Sequence, residues 1–113
     1  MSVTYAMSSE KQYDLVLKAL ADTRRRKMLD LIKVKPKTTG ELCEYFRKLD
    51  RCTVMQHLRV LERANLIIVK RRGRYRWNYI HPLPIKEIHD RWINNYTSEA
   101  INLLARMKRE IEI

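Results

Sequence analysis

Between residues 51 and 63, polar side chains that could recognise another molecule recur at helical spacing. Val54, Leu58 and Leu61 stand at i, i+4 and i+7 and define an apolar side. At about 100° per residue, Cys52, Gln56, Arg59 and Arg63 point the opposite way, with Met55 on the flank. Glutamine forms a bidentate pair with the edge of adenine. Arginine does so with guanine or binds phosphate, and a thymine methyl accepts an apolar contact such as Met55 offers. Arg51, at the start of this stretch, suits a phosphate. Further along, Lys70, Arg71, Arg72, Arg74 and Arg76 crowd around Gly73. Cations this close repel one another, and an external polyanion relieves that cost. A basic turn of this kind enters a minor groove or lies along phosphates. The candidate DNA contacts are therefore Arg51, Cys52, Met55, Gln56, Arg59, Arg71, Arg72 and Arg74.

The charge distribution agrees. The chain has 113 residues with 24 Lys and Arg against 13 Asp and Glu, a formal net charge of +11. Residues 47–76 hold ten basic and two acidic side chains, whereas residues 77–113 hold five of each. A basic working region beside a neutral tail favours a nucleic acid over a merely solvated surface.

The elements that must position these residues follow from caps and periodicity. Ser9 with Gln12 has capping-box spacing ahead of the stripe Tyr13, Val16, Leu17 and Leu20. Asp22 is placed to cap a second helix, whose buried side is Met28, Leu29, Leu31 and Ile32 and which Pro36 closes. Thr38 and Glu41 form another capping box before a short helix with Leu42, Tyr45, Phe46 and Leu49 on its buried side. Asp50 caps the fourth helix, and Asn65 stands where a left-handed residue should end it. Residues 67–71 and 75–80 are rich in β-branched and aromatic side chains around Gly73, which predicts a hairpin. Within it, Tyr75, Trp77 and Tyr79 alternate onto one face, expected to pack on the core.

After Pro82 and Pro84, one long helix is predicted from 85 to 110. Ile85, Ile88, Trp92, Tyr96, Ala100, Leu103, Met107 and Ile111 recur along it every three or four residues. A chain this short cannot bury so long a stripe alone, so a homodimer is expected. Its interface would use Tyr13, Leu17, Ile88, Trp92, Tyr96, Leu103 and Met107. The predicted fold is mainly α with a small β-hairpin, a winged helix-turn-helix in the order α-α-α-α-β-β-α. Residues 1–113 form one domain, with helices and wing over 9–81 and the dimerisation helix over 84–113.

The residues quoted above resemble the ArsR/SmtB-type winged-helix regulators over about residues 13 to 96. The stretch LKALADTRRRKMLDLI (17–32) is similar to that family's opening helices, although Thr23 stands where a proline often follows the aspartate. TTGELCEYF (38–46) is similar to the third helix. CTVMQHLRVLERANLIIVKRRGRYRWNYI (52–80) is similar to the recognition helix and wing, and its QHLRVLERANLI portion is the most specific. Asp50 replaces a small hydroxyl residue at the cap, and Asn65 replaces a glycine. The resemblance implies a homodimer that regulates transcription on duplex DNA, usually as a repressor at inverted repeats.

The metal-sensing half of that family pattern is missing. Glu41-Leu42-Cys43-Glu44-Tyr45 lacks the second thiol of the usual motif, and His81 and His89 stand among Glu87 and Asp90 without the paired arrangement of the other common site. Zinc or arsenite needs three or four soft or imidazole ligands. No metal or other cofactor is expected, and the effector is not legible. DRWINNY (90–96) resembles a subgroup without recognised metal ligands.

Three other functions are weighed. Cys52, in the first turn of the fourth helix beside Arg51, could act as a redox switch. The wing aromatics could stack RNA bases, or the winged helix could bind a protein. No Ser-His-Asp set, phosphate-binding glycine loop or paired carboxylates suggest an enzyme. His57 is expected to pack between helices or to hydrogen-bond near the DNA backbone. The two cysteines form no disulfide framework. Residues 1–8 lack a signal-peptide run and no stretch approaches a membrane span, so a cytoplasmic location is expected.

Overall fold

A computed structural model describes residues 9–93 and 98–112. The elements in order are α1 (Glu10–Leu20), α2 (Thr23–Val34), β1 (Lys37–Thr38), α3 (Thr39–Tyr45), α4 (Arg51–Arg63), β2 (Ile67–Arg72), β3 (Tyr75–Ile80), α5 (Leu83–Ile88), a π-helical segment (His89–Ile93) and α6 (Ser98–Glu112). This is a mainly helical winged helix-turn-helix fold with a small antiparallel sheet.

Local chemistry sets most helix ends. The Ser9 hydroxyl accepts the Gln12 N–H at 3.1 Å at the start of α1. Asp22 Oδ1 accepts the N–H groups of Arg24 and Arg25 at 2.8 and 3.3 Å. At α3 the capping box closes both ways: Glu41 N–H donates to Thr38 Oγ1 at 3.1 Å, and Thr38 N–H donates to Glu41 Oε1 at 2.8 Å. Each such cap contributes about 1 kcal/mol. Helix α4 ends in a Schellman motif: Asn65 takes φ 61°, its N–H bonds to the Glu62 carbonyl, and the Leu66 N–H bonds to Leu61.

The core lies between α1, α2, α3, α4 and the sheet. Val16, Ala19, Met28, Ile32, Leu42, Val54, Leu58, Leu61 and Leu66 are almost wholly excluded from solvent. Burying a side chain of this size contributes about 1.5–3 kcal/mol. Tyr45, expected on the buried side of α3, is instead exposed, because α3 ends there and the following chain turns Phe46 and Leu49 inward in its place.

The sheet has one strand more than the expected hairpin. Its order is β1-β3-β2, all antiparallel, so β3 is central. Asn78 at the centre of β3 is fully buried, and its Nδ2 donates to the Lys37 carbonyl at 3.1 Å and to Thr39 Oγ1 at 3.2 Å. It thereby ties β1 and the start of α3 to the wing. Arg72 pairs with Tyr75, leaving a two-residue loop of Gly73 and Arg74. Gly73 has φ 61°, the left-handed value that a tight hairpin requires at its first loop position.

Beyond the wing, the expected helix over 85–110 begins as α5 and the π-helical segment, and α6 covers its far part. Its middle, including Tyr96, lies outside the described residues.

Candidate nucleic-acid interface

Helix α4 is anchored on one side and open on the other. Asp50 Oδ1 accepts the Thr53 N–H at 2.7 Å, and that bond holds the Asp50 carboxyl below its ordinary range. Val54, Leu58 and Leu61 fill the core. On the far side, Arg51, Cys52, Met55, Gln56 and Arg59 line a single shallow cleft of about 320 Å³. Met55 is half-buried and the other four are exposed. Of the residues the wheel set on the outer side, Cys52, Gln56 and Arg59 line this cleft together with Met55 and Arg51, whereas Arg63 is exposed but is not among its lining residues.

His57 occupies the inner side of α4. It is buried, and its Nδ1 lies 3.1 Å from Arg25 Nη1. Arg25 also donates through Nε to the Ala19 carbonyl at 2.8 Å and through Nη2 to the Lys18 carbonyl at 2.9 Å. One guanidinium therefore joins the end of α1, the start of α2 and the recognition helix. An arginine only donates, so the His57 Nδ1 facing it is unprotonated and the ring proton sits on Nε2. Among the described residues, Nε2 is buried without a hydrogen-bond partner. Burial holds the His57 pKa below its ordinary value, with a smaller opposing pull from Asp22. The sequence held no local sign of this clamp, because its partners stand 32 residues apart.

The wing presents Arg71, Arg72 and Arg74 to solvent, with Arg74 at the tip. Its guanidinium carbon lies 5.6 Å from the Tyr75 ring centroid. Arg76 differs from the rest of the run. It is paired with Glu62 of α4 at 3.2 Å, which fixes the wing against the recognition helix. The wing aromatics also depart from expectation. Asn78 is buried on the core side of β3, so Tyr75, Trp77 and Tyr79 occupy the opposite face, across from Arg72, Lys70 and Ile68 of β2. Tyr75 is exposed, and Trp77 and Tyr79 are half-buried there.

The residues expected at a dimer interface divide into groups. Tyr13 is buried and meets Trp92 edge to face at 5.3 Å, while Ile88 packs against the protomer's own core. Arg91 lies over both rings at 4.5 and 4.7 Å and bonds Glu10 at 3.1 Å. Leu17, Leu103 and Met107 are exposed, and Trp92 stays partly so. Cys43 and Cys52 are both free thiols. Among the described residues, no three His, Cys, Asp or Glu side chains gather closely enough to hold a metal ion. Among them also, no helix is long and apolar enough to cross a membrane.

A core-anchored helix with a polar outer face, preceded by a short helix and flanked by a basic β-hairpin, defines a winged helix-turn-helix DNA-binding protein. Residues 22–69 match the bacterial regulatory proteins of the arsR family. The chain is 33% identical over 86 residues to the HTH-type transcriptional regulator YuzN of Bacillus subtilis (strain 168), covering 71% of this chain and 94% of that one. It is 29% identical over 87 residues to the transcriptional repressor SdpR of the same organism, covering 77% of this chain and 94% of that one. In fold it is similar to an ArsR-like transcriptional regulator from Rhodococcus sp. RHA1, with a TM-score of 0.71 at 18% identity over 96% and 97% of the two chains. The protein belongs to the arsR family of transcriptional regulators; it binds DNA, and its relatives are regulators rather than enzymes.

Proposed function

We propose that the protein is a cytoplasmic, homodimeric repressor that occupies an inverted-repeat operator. The observation that carries this reading is the cleft on α4 lined by Arg51, Cys52, Met55, Gln56 and Arg59, combined with an exposed apolar stripe on α6. Leu103, Leu104, Met107 and Ile111 fall on one side of α6 and are 51%, 66%, 50% and 81% exposed. Apolar area contributes about 25 cal/mol per Å² when removed from water, so a second copy gains by covering this stripe. Leu17 and the open edge of Trp92 extend the same apolar character. A closed twofold pair has the symmetry of an inverted repeat.

In this reading Gln56 and Met55 contact base edges in the major groove. Arg51, Arg59, Arg71, Arg72 and Arg74 neutralise phosphates, and Cys52 packs near the backbone. The two α4 helices enter major grooves about 34 Å apart, one turn of the duplex. Repression rather than activation is supported by the similarity to SdpR, which is named a repressor.

Footprinting on a duplex selected from a random pool tests the proposal. Two symmetric protected half-sites about one helical turn apart are expected. Protection of one isolated half-site by a single chain would contradict the dimeric reading.

A further inference from the structure

One cavity lies away from the α4 cleft and the wing tip. It opens between α2, the end of β3 and α5, with a volume of about 720 Å³. Cavities of roughly 300–1,000 Å³ suit small organic ligands. Its lining surface is mainly apolar, and Leu20, Leu29, Ile80, Pro82 and Ile85 contribute to it. Ile85, one of its lining residues, is 41% exposed.

The rim gives the ligand's charge. Arg26 and Lys33 come from α2 and Lys86 from α5. Asp30 is the acidic residue among those lining the cavity, and it faces Lys33 at 3.4 Å. Lys86 bonds Asp90 at 2.8 Å. Both pairs are solvent-exposed and therefore weak, so either ammonium can turn to a ligand at little cost. Arg26 is more fixed: Nη1 donates to the Leu20 carbonyl at 2.7 Å and Nη2 reaches Thr23 Oγ1 at 3.3 Å. Neither partner carries charge, so the guanidinium keeps its full charge at the mouth.

A second feature marks the same place. His89 lines the cavity and begins the π-helical segment that follows α5. Such segments are rare and recur at functional sites. The cavity thus touches the helix supporting the reader, the central strand of the wing, and the element leading towards α6.

We propose that this cavity is the effector site of the regulator and that it takes a small amphipathic carboxylate. The apolar chain would lie against Leu29, Ile80 and Ile85, and the carboxylate would meet Arg26 with Lys33 or Lys86. Filling it ties α5 to α2 and β3 through one ligand. This rests on the reading of α6 as the dimer helix: fixing α5 fixes the spacing of the two α4 helices and so changes the operator affinity.

Calorimetry of the full chain with decanoate tests the site, and fluorescence anisotropy of a selected duplex with and without decanoate tests the coupling. Decanoate is expected to bind about tenfold more tightly than decan-1-ol, the contribution of a charge-assisted contact. The pair Lys33→Glu with Lys86→Glu should abolish that preference while leaving ligand-free duplex binding in place. Bound decanoate should shift duplex affinity at least about threefold, within the usual range of allosteric coupling. Equal binding of decanoate and decanol, a preference for decanoate that survives Lys33→Glu with Lys86→Glu, or binding that leaves duplex affinity unchanged would each overturn the proposal. Failure of the ligand-free protein to bind any selected duplex would count against the DNA reading instead, since calorimetry of the cavity needs no DNA.

Discussion

Acidification should loosen the recognition helix through His57. The ring is neutral in the fold because Nδ1 faces Arg25 at 3.1 Å and because burial disfavours its charged form. Unfolding releases it to an ordinary histidine environment with a pKa of about 6.5. The folded pKa is the lower of the two, so the unfolded chain takes up the proton first as pH falls. Stability from this residue is intact above about 6.5 and is lost as pH drops from there through the folded value, with a slope of at most about 1.4 kcal/mol per unit. The capping carboxylates Glu41 and Asp50 are held low by the backbone N–H groups of Thr38 and Thr53. Their contribution is present above the ordinary carboxylate range and lost only at more acid pH, so the windows separate. Urea unfolding at pH 7.5 and 5.5, at fixed protein concentration, reads the difference. The native chain should lose up to about 1 kcal/mol over this interval, or roughly 4–8 °C in Tm for a domain of this size. His57→Gln keeps an acceptor for Arg25 but cannot titrate, and its loss should be smaller. Equal losses in both proteins would refute the argument that His57 is held neutral by the clamp.

Further expectations follow from other contacts. Asn78→Ala leaves the Lys37 carbonyl and Thr39 Oγ1 without their buried donor and should cost about 1–3 kcal/mol in denaturant unfolding. Met107→Asp together with Leu103→Asp should give a monomer in sedimentation velocity with unchanged circular dichroism, since both side chains are exposed in the protomer. Arg74→Ala should weaken all duplexes alike and lower the slope of log affinity against log salt by about 1 per protomer, measured by anisotropy across a salt series.

The helical reader was largely legible in the sequence because its determinants are local. Asp22, Thr38 with Glu41, and Asp50 announce helix starts three residues or fewer from the groups they bond. Asn65 announces an end by its tolerance of positive φ. What escaped was set by distance along the chain or by a choice of face. β1 is two residues long and exists only because β3 pairs with it. Alternation in β3 shows that Tyr75, Trp77 and Tyr79 share a face but not which face is the core, and hydrophobicity pointed the wrong way. A single asparagine, bonded to β1 and α3, took the inner side instead. Arg76 looked like one more wing cation until its pairing with Glu62, 14 residues away, was visible.

The central claim is that α4 reads bases while the wing holds phosphates. Selection of bound duplexes from a random pool, run in parallel with the native chain, Gln56→Ala and Arg74→Ala, tests it most directly. The native chain should enrich a symmetric sequence. Arg74→Ala should enrich the same sequence with weaker binding throughout, and Gln56→Ala should lose preference at one base pair in each half-site, worth about 1–3 kcal/mol. An unchanged sequence preference in Gln56→Ala, or a changed one in Arg74→Ala, would contradict this assignment of roles.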